Sequence, residues 1–96
     1  MAIIASGLVY QSEIRERMKR FEEVFLNDPE IDGIQYRLDG DWSGDESVFI
    51  EIALKAKKPS TDTVVRLSEQ VSDALLRILR SEELGLHSYF NFESQR

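Results

Sequence analysis

Apolar side chains recur along this chain with two different periods, and the switches between them outline its elements. Ile14, Met18, Phe21 and Phe25 are spaced four, three and four apart, which sets all four on one stripe of a helix lying against a core. Ser12 stands where an N-cap would, its hydroxyl able to accept from an amide of the first turn. Asn27-Asp28-Pro29 ends the pattern, because proline pushes the residue before it out of the helical region. Period two follows: Ile34, Tyr36 and Leu38 alternate with Gln35, Arg37 and Asp39. Val48, Ile50, Ile52 and Leu54 then alternate with Phe49, Glu51, Ala53 and Lys55. A short segment rich in Gly and Asp separates the two runs, which predicts an antiparallel hairpin ended by Lys55, Lys57, Lys58 and Pro59.

Pro59-Ser60-Thr61-Asp62 offers caps and an acid for the start of a second helix. Val64, Leu67, Val71, Ala74, Leu75 and Ile78 give that helix its apolar stripe, and Ser81 and Gly85 mark its exit. The last strand is expected over Leu86 to Glu93, with Leu86, Phe90 and Phe92 on one parity and His87, Tyr89, Asn91 and Glu93 on the other. The order α-β-β-α-β is that of an α+β two-layer sandwich, with both helices on one face of a three-stranded mixed sheet. Strand order 2-1-3 is expected, a split βαβ arrangement with the last strand parallel to the second. The whole chain, residues 1–96, reads as one domain. Residues 1–11 read as an extended arm or an edge strand, being too short and interrupted for a signal peptide or for the ~20 residues of a membrane helix.

Charge narrows the functional classes. The net charge is −6, which opposes general affinity for nucleic acid. Arg15, Arg17, Lys19 and Arg20 alternate with Glu13, Glu16, Glu22 and Glu23 and read as a solvated face. Cysteine is absent, so disulfides, thiol catalysis and thiolate-bound metals are excluded; a cytoplasmic location is the default expectation.

The stretch "LDGDWSGDES", Leu38 to Ser47, imitates a calcium loop through Asp39, Asp41, Ser43 and Gly44. Position 12 of such a loop needs a bidentate Glu, but here it is Ile50, a buried strand residue; Glu51 comes one residue late on the opposite face. A looser divalent site on Asp39, Asp41 and Asp45 stays open, since crowded carboxylates repel and a cation relieves them. The plainer reading is a hydrated hairpin turn, for which Asp and Gly are suited. No nucleophile, phosphate cradle or paired histidines accompany the acids, so no catalytic residue is assigned and no cofactor is expected. His87, the only histidine, reads as a polar surface residue.

With both helices on one face, the other carries Arg37, Phe49, Glu51, His87, Tyr89 and Asn91. Phe, Tyr and Arg are typical anchors of protein interfaces, so these six are the candidate interface residues. A merely solvated face and an RNA platform are the alternatives, the latter opposed by the acidity.

Two resemblances follow from these residues. "DWSGDESVFIEIAL" with "SEELGLHSYFNFES" resembles a group of small bacterial proteins without an assigned activity, over Ile31 to Ser94. Genes of that group often neighbour small helical proteins of the HEPN type, which implies an accessory or antitoxin-like partnership. It brings no catalytic residues. The element order alone is similar to the cytoplasmic domain of cation diffusion facilitators, which dimerises and binds metal. That family's His and Glu of the last strand would fall on Asn91 and Glu93, so the resemblance implies dimerisation without the metal function. The sequence therefore points to a non-enzymatic interaction or dimerisation module, whose partner is a second copy or a small helical protein. A divalent-cation enzyme or sensor on the acidic turn is the alternative.

Overall fold

In the computed structural model, which describes the backbone of residues 2–94 and the side chains of residues 11–94, the periodicities resolve into five main elements. They are α1 (Ala2–Phe25), β1 (Ile31–Gly40), β2 (Glu46–Leu54), α2 (Thr61–Ala74) and β3 (His87–Ser94). Ile14, Met18 and Phe21 are wholly buried and Phe25 nearly so, as the four-three-four spacing requires. The helix ends where Asp28 N–H reaches back to the Phe25 carbonyl at 3.1 Å and Asp28 Oδ1 accepts from Glu30 N–H at 2.9 Å. Arg66 of α2 closes on the other oxygen of Asp28 at 3.1 Å, joining the end of α1 to the second helix. Burial opposes ionisation of this carboxyl, yet the hydrogen bonds from Arg66 and Glu30 and the guanidinium charge hold it below its ordinary pKa.

The N-terminal expectations are corrected. Backbone helix begins at Ala2, where an extended arm or edge strand was expected for residues 1–11, and Ser12 lies inside α1 rather than capping it. Gly7 is the weakest helix former before Ser12; no proline occurs there, and Ala2, Ala5 and Leu8 are good helix formers, so the helix runs through it.

The second helix starts as its sequence proposed. Ser60 is the N-cap, its hydroxyl oxygen accepting from Thr63 N–H at 3.1 Å. Leu67, Val71 and Ala74 are buried, and then the phase slips. Leu75–Leu79 forms a π-helical turn, closed by Arg80 N–H donating to the Leu75 carbonyl at 2.8 Å. The wider turn adds one residue, so Leu79 becomes the fully buried position and Ile78 is left half-buried. Arg80 takes a left-handed φ of 45°, a 3₁₀ turn over Ser81–Leu84 follows, and Gly85 at φ 73° redirects the chain into β3.

The sheet confirms the parities and corrects the order. β1 and β2 pair antiparallel, with Ile34 opposite Ile52, Tyr36 opposite Ile50 and Leu38 opposite Val48. β2 and β3 pair parallel, with Ile50 beside Phe90 and Ile52 beside Phe92. The strand order is β1-β2-β3, so β2 is central and the expected 2-1-3 order does not hold. Composition explains the choice. β2 buries Val48, Ile50, Ile52 and Leu54 completely or nearly so and carries Phe49 and Ala53 on its other side, which suits a strand covered on both edges. β1 has a bulge between Ile31 and Gly33 and bears Asp32, Arg37 and Asp39, features that suit an edge. The buried residues of both helices join the even-numbered residues of β2 in one cluster, so the helices share a face and leave the other uncovered. The result is an α+β fold with two main helices and a three-stranded mixed sheet.

One member of the expected solvated face belongs elsewhere. Arg15, Lys19 and Arg20 are exposed, but Arg17 is only 8% exposed. Its guanidinium donates to the carbonyls of Leu79 at 2.9 Å and Arg80 at 3.1 Å, and pairs with Glu13 at 3.1 Å and Glu83 at 3.2 Å. Those carbonyls lie where the helix breaks at Arg80; the Arg80 carbonyl also accepts from Glu83 N–H at 3.1 Å, and Arg17 completes the bonding there, so α1 supplies the C-terminal cap of the second helical segment.

Candidate functional site

The segment between β1 and β2 is the five-residue hairpin connection Asp41–Asp45. Asp41 N–H donates to the Asp45 carbonyl at 2.8 Å, and Gly44 N–H donates to the Asp41 carbonyl at 2.9 Å. Gly44 sits at φ 87°, the left-handed position that completes such a loop and that a side chain would strain.

Asp41 organises the turn from within. Its Oδ1 accepts from Ser43 N–H at 3.0 Å, Ser43 Oγ–H at 2.7 Å and Asp45 N–H at 3.1 Å. Its Oδ2 accepts from the Tyr89 hydroxyl of β3 at 3.0 Å, with Ser47 Oγ a further 3.3 Å contact. The Ser43 hydroxyl and then the other donors stabilise the carboxylate, and its pKa falls to about 2. The Tyr89 phenol moves upward, through burial first and then through its bond to Asp41 and the negative charge of Asp41 and Asp45.

The three predicted metal candidates separate. Asp39 turns to Arg37 at 3.0 Å and to Gly40 N–H at 2.8 Å, away from the other two. Asp41 and Asp45 gather instead with His87, whose Nε2 is 3.5 Å from Asp45 Oδ2; one donor atom from each of the three lies within 4.8 Å of the others. A mixed imidazole and carboxylate set suits a divalent transition metal by chemistry. Its oxygen from Asp41, however, already serves the donors that shape the loop.

The uncovered face brings the interface candidates together. Arg37, Phe49 and Tyr89 are direct cross-strand neighbours, as are Gln35, Glu51 and Asn91. Arg37 lies over the Phe49 ring at 4.4 Å, Phe49 stacks on Tyr89 at 5.4 Å between centroids, and Trp42 leans on Tyr89 at 5.2 Å. His87 stands 6.4 Å from Tyr89 at the end of the row. Arg37, Phe49, Glu51, Tyr89 and Asn91 line a shallow depression of about 190 Å³, smaller than the ~300–1,000 Å³ of small-molecule sites. Trp42 remains 83% exposed.

Sequence reasoning placed Phe49 and Tyr89 on this face but not Trp42, because a loop residue has no strand parity. It also could not join Tyr89 to Asp41, a bond that depends on β3 lying beside β2. No protein-family model, curated protein or solved structure matches the chain. No helix among the described residues is long and apolar enough to cross a membrane.

Proposed function

We propose that this chain is a non-enzymatic protein–protein interaction module that docks through the open face of its sheet. The observation that carries the reading is the continuous row Trp42, Tyr89, Phe49 and Arg37, which no other described element covers. Aromatic rings and arginine provide large contact area at small cost in conformational freedom, and such residues dominate interface energetics. The row is also preorganised. Tyr89 is held by Asp41 and by two ring neighbours, and Arg37 by Asp39, so little ordering is left for the moment of binding. The resemblance to the small bacterial proteins makes a small helical protein one proposed partner, in an accessory or antitoxin-like role; a second copy of the chain is the other.

Light scattering of purified wild type and of a Trp42→Ser/Phe49→Ser double variant tests this, with circular dichroism to verify folding. Trp42 and Phe49 are chosen because Tyr89 also anchors the turn. The expected result is a wild-type mass above that of the monomer, or a stoichiometric helical protein purifying with it, either being lost in the variant. A wild type that is monomeric and alone overturns the proposal. The divalent-cation alternative has the grouping of Asp41, Asp45 and His87 in its favour, but it must spend the carboxylate that builds the loop, and it leaves the aromatic row without a role.

A further inference from the structure

The two edges of the sheet are not equally defended. β1 carries a bulge between Ile31 and Gly33 and places Arg37 and Asp39 along its length, features that discourage another strand from pairing. β3 pairs with β2 without a break from His87 to Ser94, and among the described residues no strand pairs with its other side. It contains no proline, lysine or arginine, and Glu93 is its only acid. Such a long, regular edge rich in aromatics presents a template of free amides and carbonyls. Phe90 and Phe92, packed edge to face at 5.7 Å on the helix-covered side, stay only half-buried there, although their neighbours Ile50 and Ile52 on β2 are sealed.

We propose that the free edge of β3 pairs antiparallel with the β3 edge of a second copy, making a two-fold dimer with one continuous six-stranded sheet. The strand is self-complementary in one register. With the two-fold axis passing at Asn91, Phe90 lies opposite the second copy's Phe92 and Phe92 opposite its Phe90, on the helix-covered side of both. Directly opposed residues of an antiparallel pair share a face, so four phenylalanines close one apolar seam. On the open side Asn91 meets its own copy, amide to amide, and Tyr89 meets the second copy's Glu93. No like charges are opposed in this register. The contact is isologous and closes on itself, so it ends at two chains. It goes beyond the proposed docking by the open face: the edge supplies the dimer, and the two aromatic rows then stand side by side on one surface.

The test is light scattering across micromolar concentrations on wild type, Asn91→Lys and Gln35→Lys, with circular dichroism of each. Asn91 and Gln35 are both exposed on the open face, so neither change disturbs the core. The expected result is a wild-type dimer, a dimer dissociation constant raised roughly a hundredfold in Asn91→Lys by the opposed lysines, and little change in Gln35→Lys on the other edge. Because the chain has no cysteine, Asn91→Cys introduces a single thiol, which should oxidise to a covalent dimer much faster than Gln35→Cys. A wild type that stays monomeric overturns the proposal. So does a dimer that survives Asn91→Lys but is lost in Trp42→Ser/Phe49→Ser; that outcome assigns the contact to the open face and keeps the first proposal standing.

Discussion

Replacing Arg17 by alanine should destabilise the fold at the junction of its helices. Its guanidinium makes two hydrogen bonds to carbonyls at the broken helix end, one of them fully buried. Hydrogen bonds to a charged partner contribute about 1.5–3 kcal/mol each. The pairs with Glu13 and Glu83 add less than ~1 kcal/mol apiece, since both acids are more than two-fifths exposed. Alanine also removes the packed aliphatic stem, while water entering the vacated space recovers part of the lost bonding. The net cost is about 3 kcal/mol, a large share of the ~5–15 kcal/mol that holds a domain folded. For a chain of this size that lowers Tm by roughly 12–24 °C. Thermal and urea unfolding of Arg17→Ala, Arg17→Lys and Arg15→Ala measures it. Lysine keeps the charge but lacks the fork that reaches two carbonyls, so Arg17→Lys should fall between wild type and Arg17→Ala. Arg15 is exposed and its removal should cost little. If Arg17→Ala and Arg15→Ala melt within a degree or two of each other, the capping argument is wrong.

Acid should weaken the hairpin turn selectively. The folded pKa of Asp41 is about 2 against an ordinary 3.8, so its contribution is present above pH ~3.8 and is lost as the pH falls through 2. The stability gap between wild type and Asp41→Asn, followed by urea titration, should therefore be constant above that range and close below it; a gap that does not change with pH refutes the assignment. Gly44→Ala, at φ 87° with open space around its would-be side chain, should cost about 1–2 kcal/mol through backbone strain alone. A D-alanine introduced there by chemical synthesis should avoid that cost, and equal losses from both enantiomers would contradict the strain argument. Trp42 is the only tryptophan, so acrylamide should quench the fluorescence of the monomer readily and that of a complex on the open face poorly. Calorimetry with zinc, manganese and calcium should give no heat at millimolar metal; a stoichiometric site that Asp45→Asn or His87→Ala abolishes would revive the cation reading.

What was legible in the sequence was periodic. The stripe from Ile14 to Phe25 and the alternations of β1, β2 and β3 each state which side chains turn inward, because a helix and a strand repeat at fixed and different intervals. The choice of face therefore followed, and with it the placing of Phe49, Tyr89 and Arg37 together. What was not legible depends on contacts between distant segments. The strand order turned on the preference of an apolar β2 for the centre, a comparison between strands rather than a pattern within one. Arg17 looked like its neighbours Arg15 and Arg20 until the π-helical turn at Leu75–Leu79 brought two carbonyls to it. The acids of "LDGDWSGDES" gave their number but not their partners: Asp39 went to Arg37, and Asp41 to Ser43, Asp45 and a tyrosine of the last strand.

The central position of β2 also sets an order in time. Its pairing with β1 closes across the five residues between Gly40 and Glu46, whereas its pairing with β3 must bring His87 back to Ser47 across about forty residues, an additional closure cost of roughly 1.5–2 kcal/mol. The hairpin can thus assemble while the chain is still emerging from the ribosome, with one side of β2 bare until α2 and β3 have been made. Lys55, Lys57 and Lys58 leave the ribosome directly behind that bare strand. Their charge would keep nascent chains apart during the interval, a protection that has no task left once β3 has docked.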